Sequence, residues 1–163
     1  MIMTSTPFGR KSIIRFSQDG RIYHGWSGEV NIKVYTSRGN QVEVIKGSHE
    51  SVEITQDGVE NLLNSYSSED FKEAIREVDP PSVWPAYESF LVDDEGRVWI
   101  KMNTKSREQS SWVIFNKEGE RIYTVKLPQN VALKVIQGEH AYGVETDENN
   151  GVQTVVRYDI DSE

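Results

Sequence analysis

Hydrophobic residues in this chain fall in short runs rich in Ile, Val, Phe and Tyr, separated by clusters of Gly, Asp, Asn and Ser. The first set covers residues 12–16, 21–25, 31–35 and 41–45. Between them lie Gln18-Asp19-Gly20, Trp26-Ser27-Gly28-Glu29 and Ser37-Arg38-Gly39-Asn40. Runs of this length punctuated by glycine-bearing turns predict an antiparallel meander. The periodicity then becomes helical. Asp57-Gly58-Val59-Glu60 reads as a capping box, and Val59, Leu62, Leu63 and Tyr66 follow on one stripe. Ser67 or Ser68 opens a second helix carrying Phe71, Ile75 and Val78, and Asp79-Pro80-Pro81 ends it because proline cannot continue the hydrogen-bond ladder. Both short amphipathic helices are expected to pack on the sheets. After Trp84-Pro85 the strand pattern resumes at 89–93, 97–102, 111–116 and 121–127. A last set of three runs occupies 132–137, 141–146 and 153–159.

The three sets repeat one another. Val92-Asp93-Asp94-Glu95-Gly96-Arg97-Val98-Trp99 restates Phe16-Ser17-Gln18-Asp19-Gly20-Arg21-Ile22-Tyr23, and a worn copy spans 138–142. Trp99 and Tyr142 are 43 residues apart, as are Phe115 and Tyr158. Tyr23 aligns with Trp99 and Tyr35 with Phe115 at a larger offset that absorbs the helical insertion and a longer 103–110 loop. A period near 43 with four strands per unit is the spacing of propeller blades, which stack face to face. Stacking also explains why Val98-Trp99-Ile100 and Trp112-Val113-Ile114-Phe115 are continuously apolar, since both faces of such strands are covered. The aromatic position shared by Tyr23, Trp99 and Tyr142 is then a packing position between units. The boundaries are a single domain over 1–163, with blades at 8–46 and 85–128, a helical insertion at 56–80 and an incomplete blade at 131–160.

Composition narrows the function classes. A chain of 163 residues is long enough for one sizeable core, and its 4 Trp, 7 Tyr and 5 Phe argue against disorder. The net charge of −8 disfavours nucleic acid, and Arg10-Lys11, the only basic cluster, reads as a solvated loop. No cysteine is present, so disulfides, thiolate metal sites and cysteine nucleophiles are excluded. The apolar runs are too short for a membrane span, and the first residues lack the pattern of a signal peptide.

The motifs resemble those of bacterial six-bladed β-propeller proteins with NHL-like repeats. The resemblance rests on Pro85-Ala86-Tyr87 leading into Leu91-Val92-Asp93-Asp94-Glu95-Gly96-Arg97-Val98-Trp99. It rests also on Trp112-Val113-Ile114-Phe115-Asn116-Lys117-Glu118-Gly119-Glu120, and on Ala141-Tyr142-Gly143-Val144 with Val155-Val156-Arg157-Tyr158. It implies three blades, half a propeller, and an extracytoplasmic setting. Three readings of that count stand open: a fragment of a longer propeller, two copies closing around a two-fold axis, or an open module with the helices capping the wedge. The last unit is one strand short, and Met1-Ile2-Met3-Thr4 is a candidate for the missing strand, within the chain or across a dimer.

Candidate chemistry is sparse. His24, His49 and His140 have no metal-site spacing. Asp93-Asp94-Glu95-Gly96 lacks the alternating oxygen ligands of a calcium loop and reads as a turn whose acids cap backbone N–H groups. The oxygen-rich loop from Glu145 to Gly151 is a hairpin turn or a weak surface cation site. No nucleophile elbow, phosphate loop or dinucleotide fingerprint is present. The metal set of lactonase-type propellers has no match on 12–16, 89–93 or 132–137. The loops offer a binding surface of Trp26, Trp84, Tyr87, Arg107 and Glu108, residue types suited to protein or glycan contacts; packing of Trp84 and Tyr87 on the insertion is the competing reading. The sequence therefore points to a non-enzymatic propeller binding or scaffold module without cofactor or catalytic residues. Its expected partner is a second copy, another propeller half or another protein. The alternatives are a lactonase-like hydrolase or lyase with a metal in a central channel, and a carbohydrate-facing surface module.

Overall fold

The structure, a computed structural model, describes residues 8–64, 66–77, 79–106, 108–147 and 149–160. Its first sheet is the meander β1 (Ser12–Phe16), β2 (Ile22–Trp26), β3 (Asn31–Tyr35) and β4 (Gln41–Lys46). Two helices follow, α1 (Gln56–Asn64) and α2 (Glu69–Arg76). The second sheet is β5 (Tyr87–Val92), β6 (Val98–Met102), β7 (Gln109–Phe115) and β8 (Arg121–Pro128). The third has three strands, β9 (Val131–Gln137), β10 (His140–Thr146) and β11 (Gln153–Asp159). The fold is mainly β: three separate antiparallel sheets of four, four and three strands, with two helices. The strands lie where the alternation and turn residues place them. Gly20 and Gly96 take φ of 80° and 79° in the corresponding first turns, a left-handed conformation that costs glycine least.

The second sheet is the middle layer, because its strands carry apolar residues on both faces. Phe90, Val98, Ile100 and Phe115 meet Ile13, Tyr23, Ile32, Val34 and Ile45 of the first sheet. Trp99, Trp112, Ile114 and Leu127 meet Val131, Leu133, Ile136 and Ala141 of the third. Full burial of such side chains contributes about 1.5–3 kcal/mol each before the entropy of ordering is set against it. The first strands of neighbouring sheets run beside one another, β1 next to β5 and β5 next to β9. Arg15 fastens the first pair, donating from Nε to the Phe90 carbonyl at 3.0 Å with its guanidinium over the Phe90 ring.

The shared hairpin does different work in its copies. In the second sheet the Asp93 side chain is buried and accepts from Glu95 N, Arg97 N, Arg97 Nε at 2.6 Å and Trp99 Nε1 at 2.9 Å. The neighbouring Asp94 carboxylate accepts from Gly138 N at 2.9 Å, joining this turn to the first turn of the third sheet. In the first sheet Ser17 holds the place of Asp93, its hydroxyl accepting from Arg21 N at 3.1 Å, and the exposed Asp19 pairs with Arg21.

The helices depart from expectation in two ways. The N-terminus of α1 is capped by Thr55, whose hydroxyl accepts from Gly58 N at 3.1 Å, so Asp57 sits inside the first turn rather than at the cap. A β-hydroxyl serves as well as a carboxylate there, and Asp57 still favours the positive end of the helix dipole. Ser68 caps α2, accepting from Phe71 N. The helices do not lie across a sheet face. Leu63 and Ile75 close instead on Phe8, with Ile54, Val59, Leu62, Phe71 and Trp84 around them, giving the insertion a small core of its own. Met1 to Thr4 and Val78 lie outside the described residues.

Candidate functional site

A hollow of about 540 Å³ opens where the insertion meets the ends of β1 and β5. One wall is the segment Gly9, Arg10 and Lys11 with Ser27; the other is Leu62 and Tyr66 from the end of α1 and the loop after it. Trp84, Pro85, Tyr87, Glu88 and Asn103 complete the lining. The mouth is held by backbone bonds gathered on Ser27, which is fully buried. Its hydroxyl accepts from Lys11 N at 2.9 Å, its N–H donates to Lys11 O at 3.0 Å, and its carbonyl accepts from Ala86 N at 2.7 Å. Asn103 fixes the opposite side by donating from Nδ2 to Pro85 O at 2.7 Å. A short bridge between Glu53 and Val83 ties the chain entering the insertion to the chain leaving it.

Of the five residues the sequence nominates for binding, Trp84 and Tyr87 line this cleft. Trp84 is half-buried, 5.4 Å from the Phe8 ring between centroids, so it belongs at once to the insertion core and to the cleft. Tyr87 is fully buried and packs between the first two sheets rather than on the insertion. Burial raises its pKa, the charge of Glu29 adds to that, and its hydroxyl has no hydrogen-bond partner among the described residues. Trp26 ends β2 instead of lying in a loop, and is exposed. It approaches the cleft through Arg10: a Cβ at Gly28 would stand 2.7 Å from Arg10 Cδ and 2.9 Å from Trp26 Nε1. Glu108 is elsewhere, exposed, with its carbonyl accepting from Gln129 N. Arg107 lies outside the described residues. The pair Arg10-Lys11, read from sequence as a solvated loop, is the part of the site that local reading misses. Nothing in its own neighbourhood announces that the fold brings Trp84 beside it.

Other candidate chemistry resolves into local bonding. His24 Nε2 lies 3.2 Å from Ser12 Oγ, and His140 Nδ1 is 3.0 Å from Asp159. The oxygen-rich loop borders a hollow with Asn130, Glu145, Asp147 and Asn149. Asp147 spends its carboxylate on Asn149 N at 2.8 Å, and this bond lowers its pKa. Among the described residues no group of three or more His, Cys, Asp or Glu is placed to hold a metal ion. No helix among them is long and apolar enough to cross a membrane.

No family model matches the chain, and no curated protein matches it. Among solved structures it is similar to the crystal structure of a member of the DUF4221 family from Bacteroides vulgatus, at 12% identity and a TM-score of 0.49. That likeness covers 93% of this chain and 46% of the other, so the chain spans less than half of that protein's length. The resemblance to NHL-like six-bladed propellers is thereby corrected. No family model, NHL-like or other, matches the chain, and the described residues form three separate antiparallel sheets. The hairpin motifs misled because a D-x-x-G turn between aromatic-bearing strands meets a local need, a left-handed turn residue beside a packed face, that many β proteins share.

Proposed function

We propose that this chain is a non-enzymatic binding and assembly module whose two outermost sheet faces are its contact surfaces, and whose partner is a second copy. The finer reading of the sheets as blade-like units stacked face to face belongs to the same proposal. One observation carries it: the residue positions that are buried between sheets inside the chain recur, uncovered, at its two ends. Tyr23 points from the first sheet into the second, and Trp99 from the second into the third. Their counterpart Tyr142 stands on the outer face of the third sheet beside Val135, Val144 and Val155, the last 75% exposed. On the opposite side, Phe90, Val98 and Phe115 receive Tyr23, and their counterparts Ile14, Ile22 and Tyr35 face outward on the first sheet. Phe16 on that face is 70% exposed. Large apolar side chains gathered on a face mark an interaction surface more often than scattered ones do.

The two faces differ, so the contact is head to tail: the third sheet of one copy against the first sheet of the next. Light scattering at high micromolar concentration tests it. The expected mass exceeds one 18.6 kDa chain. Ile14→Arg blocks one face and Tyr142→Arg the other; each alone leaves a monomer, and mixing the two restores a one-to-one pair through the remaining intact faces. A wild-type mass of a single chain, or a mixture that stays monomeric while each variant melts like wild type, overturns the proposal.

A further inference from the structure

We propose that the cleft between the insertion and the ends of β1 and β5 binds small organic acids that carry a flat apolar ring. This stands apart from the assembly proposal, whose surfaces are the outer sheet faces. A volume of about 540 Å³ is that of a small-molecule site, and such sites pair apolar walls with a few convergent polar groups. Trp84, Tyr66 and Leu62 supply the apolar walls. The charge is set by Arg10 and Lys11. Neither makes an ion pair among the described residues, whereas the one carboxylate in the lining, Glu88, is held by Lys101 at 2.6 Å. Among the described residues, the hollow therefore carries two cations outside any ion pair, in a chain of net charge −8.

The segment carrying the cations is also anchored. Lys11 is anchored through its backbone to Ser27. The Arg10 side chain lies in the space that glycine leaves at position 28, where a Cβ would be 3.0 Å from its Nε. Any larger residue there would displace the Arg10 side chain. A planar guanidinium offers paired donors in a fork that matches a carboxylate, and a charge-assisted hydrogen bond is roughly twice as strong as a neutral one. A neutral sugar would leave both cations without a counter-charge, and a ring bearing an ammonium group would meet them with like charge. An acid with an aromatic ring satisfies both halves of the site.

Two probes of one shape and opposite charge test this, 1-naphthylacetate and 1-naphthylmethylammonium, titrated into ¹⁵N-labelled protein while the indole N–H resonances are followed. The Trp84 resonance is assigned with Trp84→Phe. The acid is expected to shift the Trp84 signal to saturation at millimolar concentration, with affinity falling as salt rises, and the ammonium compound to leave it in place. The double variant Arg10→Gln with Lys11→Gln weakens acid binding about tenfold or more. Arg10→Lys, which keeps the charge and loses the fork, retains part of it. Both variants lie at the surface, and an unchanged spectrum away from the cleft verifies their fold. Equal binding of the two probes, acid binding indifferent to the double variant, or no saturable shift with either probe overturns the proposal. None of these results depends on whether the chain assembles.

Discussion

Replacing the buried Asp93 by Asn, with the exposed Asp19 of the first sheet's matching turn replaced likewise as a control, isolates what burial does to a turn carboxylate. The Asp93 side chain is fully buried against 59% exposure for Asp19; in the matching turn Ser17 holds the place of Asp93, and Asp19 that of Glu95. Asn can keep the acceptor that serves Glu95 N and Arg97 N, but its amide group then faces two donors, Arg97 Nε and Trp99 Nε1. Two hydrogen bonds to a charged group are lost, about 1.5–3 kcal/mol each. The Arg97 guanidinium, itself about four-fifths buried, keeps a single carboxylate neighbour, Glu95 at 3.2 Å. Breaking one side of a buried pair costs about 3–5 kcal/mol, so we expect a loss of about 3–4 kcal/mol from Asp93→Asn. For a domain of this length that lowers Tm by about 10 °C. The exposed Asp19–Arg21 pair contributes about 0–1 kcal/mol, and Asp19→Asn should shift Tm by no more than about 3 °C. Thermal and urea melts followed by circular dichroism and tryptophan fluorescence give both numbers. Equal losses for the two variants, or a loss below about 1 kcal/mol for Asp93→Asn, would refute the argument that burial sets what a turn carboxylate contributes.

Two further outcomes follow from packing and from protonation. Gly25 lies against the Tyr87 hydroxyl, and a Cβ there would also stand 3.1 Å from Ile32 Cγ1, so Gly25→Ala should destabilise by about 2–3 kcal/mol. Removing the unpartnered hydroxyl with Tyr87→Phe should be neutral or stabilising alone and should recover much of the Gly25→Ala loss in the double variant; additive losses in urea melts would sink this. Burial raises the Glu43 pKa above its ordinary value, with Glu118 adding and Arg21 opposing. A carboxyl whose folded pKa is raised binds its proton more tightly in the native state, so its contribution to stability falls as pH rises from about 4.5 through the folded value. Glu43→Gln should therefore melt higher than wild type at pH 7 and equal to it near about pH 3; a gain that persists at the acid end would show that charge is not the cause.

The sequence by itself determined the strands, the turns and their repetition. Alternation and left-handed glycines are local properties, read within a few residues, and Gly20 and Gly96 needed no partner to declare themselves. It also placed Tyr23, Trp99 and Tyr142 at one position of one pattern. Only the tertiary structure decided what that position means in each copy: Tyr23 and Trp99 are covered by the neighbouring sheet, while Tyr142, half-buried, lies on the outer face of the third sheet. Burial is set by what lies across the face, and that information is not carried by the strand itself. The same reason explains why the cleft could be read only in part. Trp84 and Tyr87 were visible as aromatic residues near a proline, but Arg10 and Lys11, more than seventy positions earlier, join them through the bonds of Ser27 to Lys11 and Ala86. The chain writes its strands locally and its sites at a distance, because side chains far apart in sequence meet only when the sheets have packed.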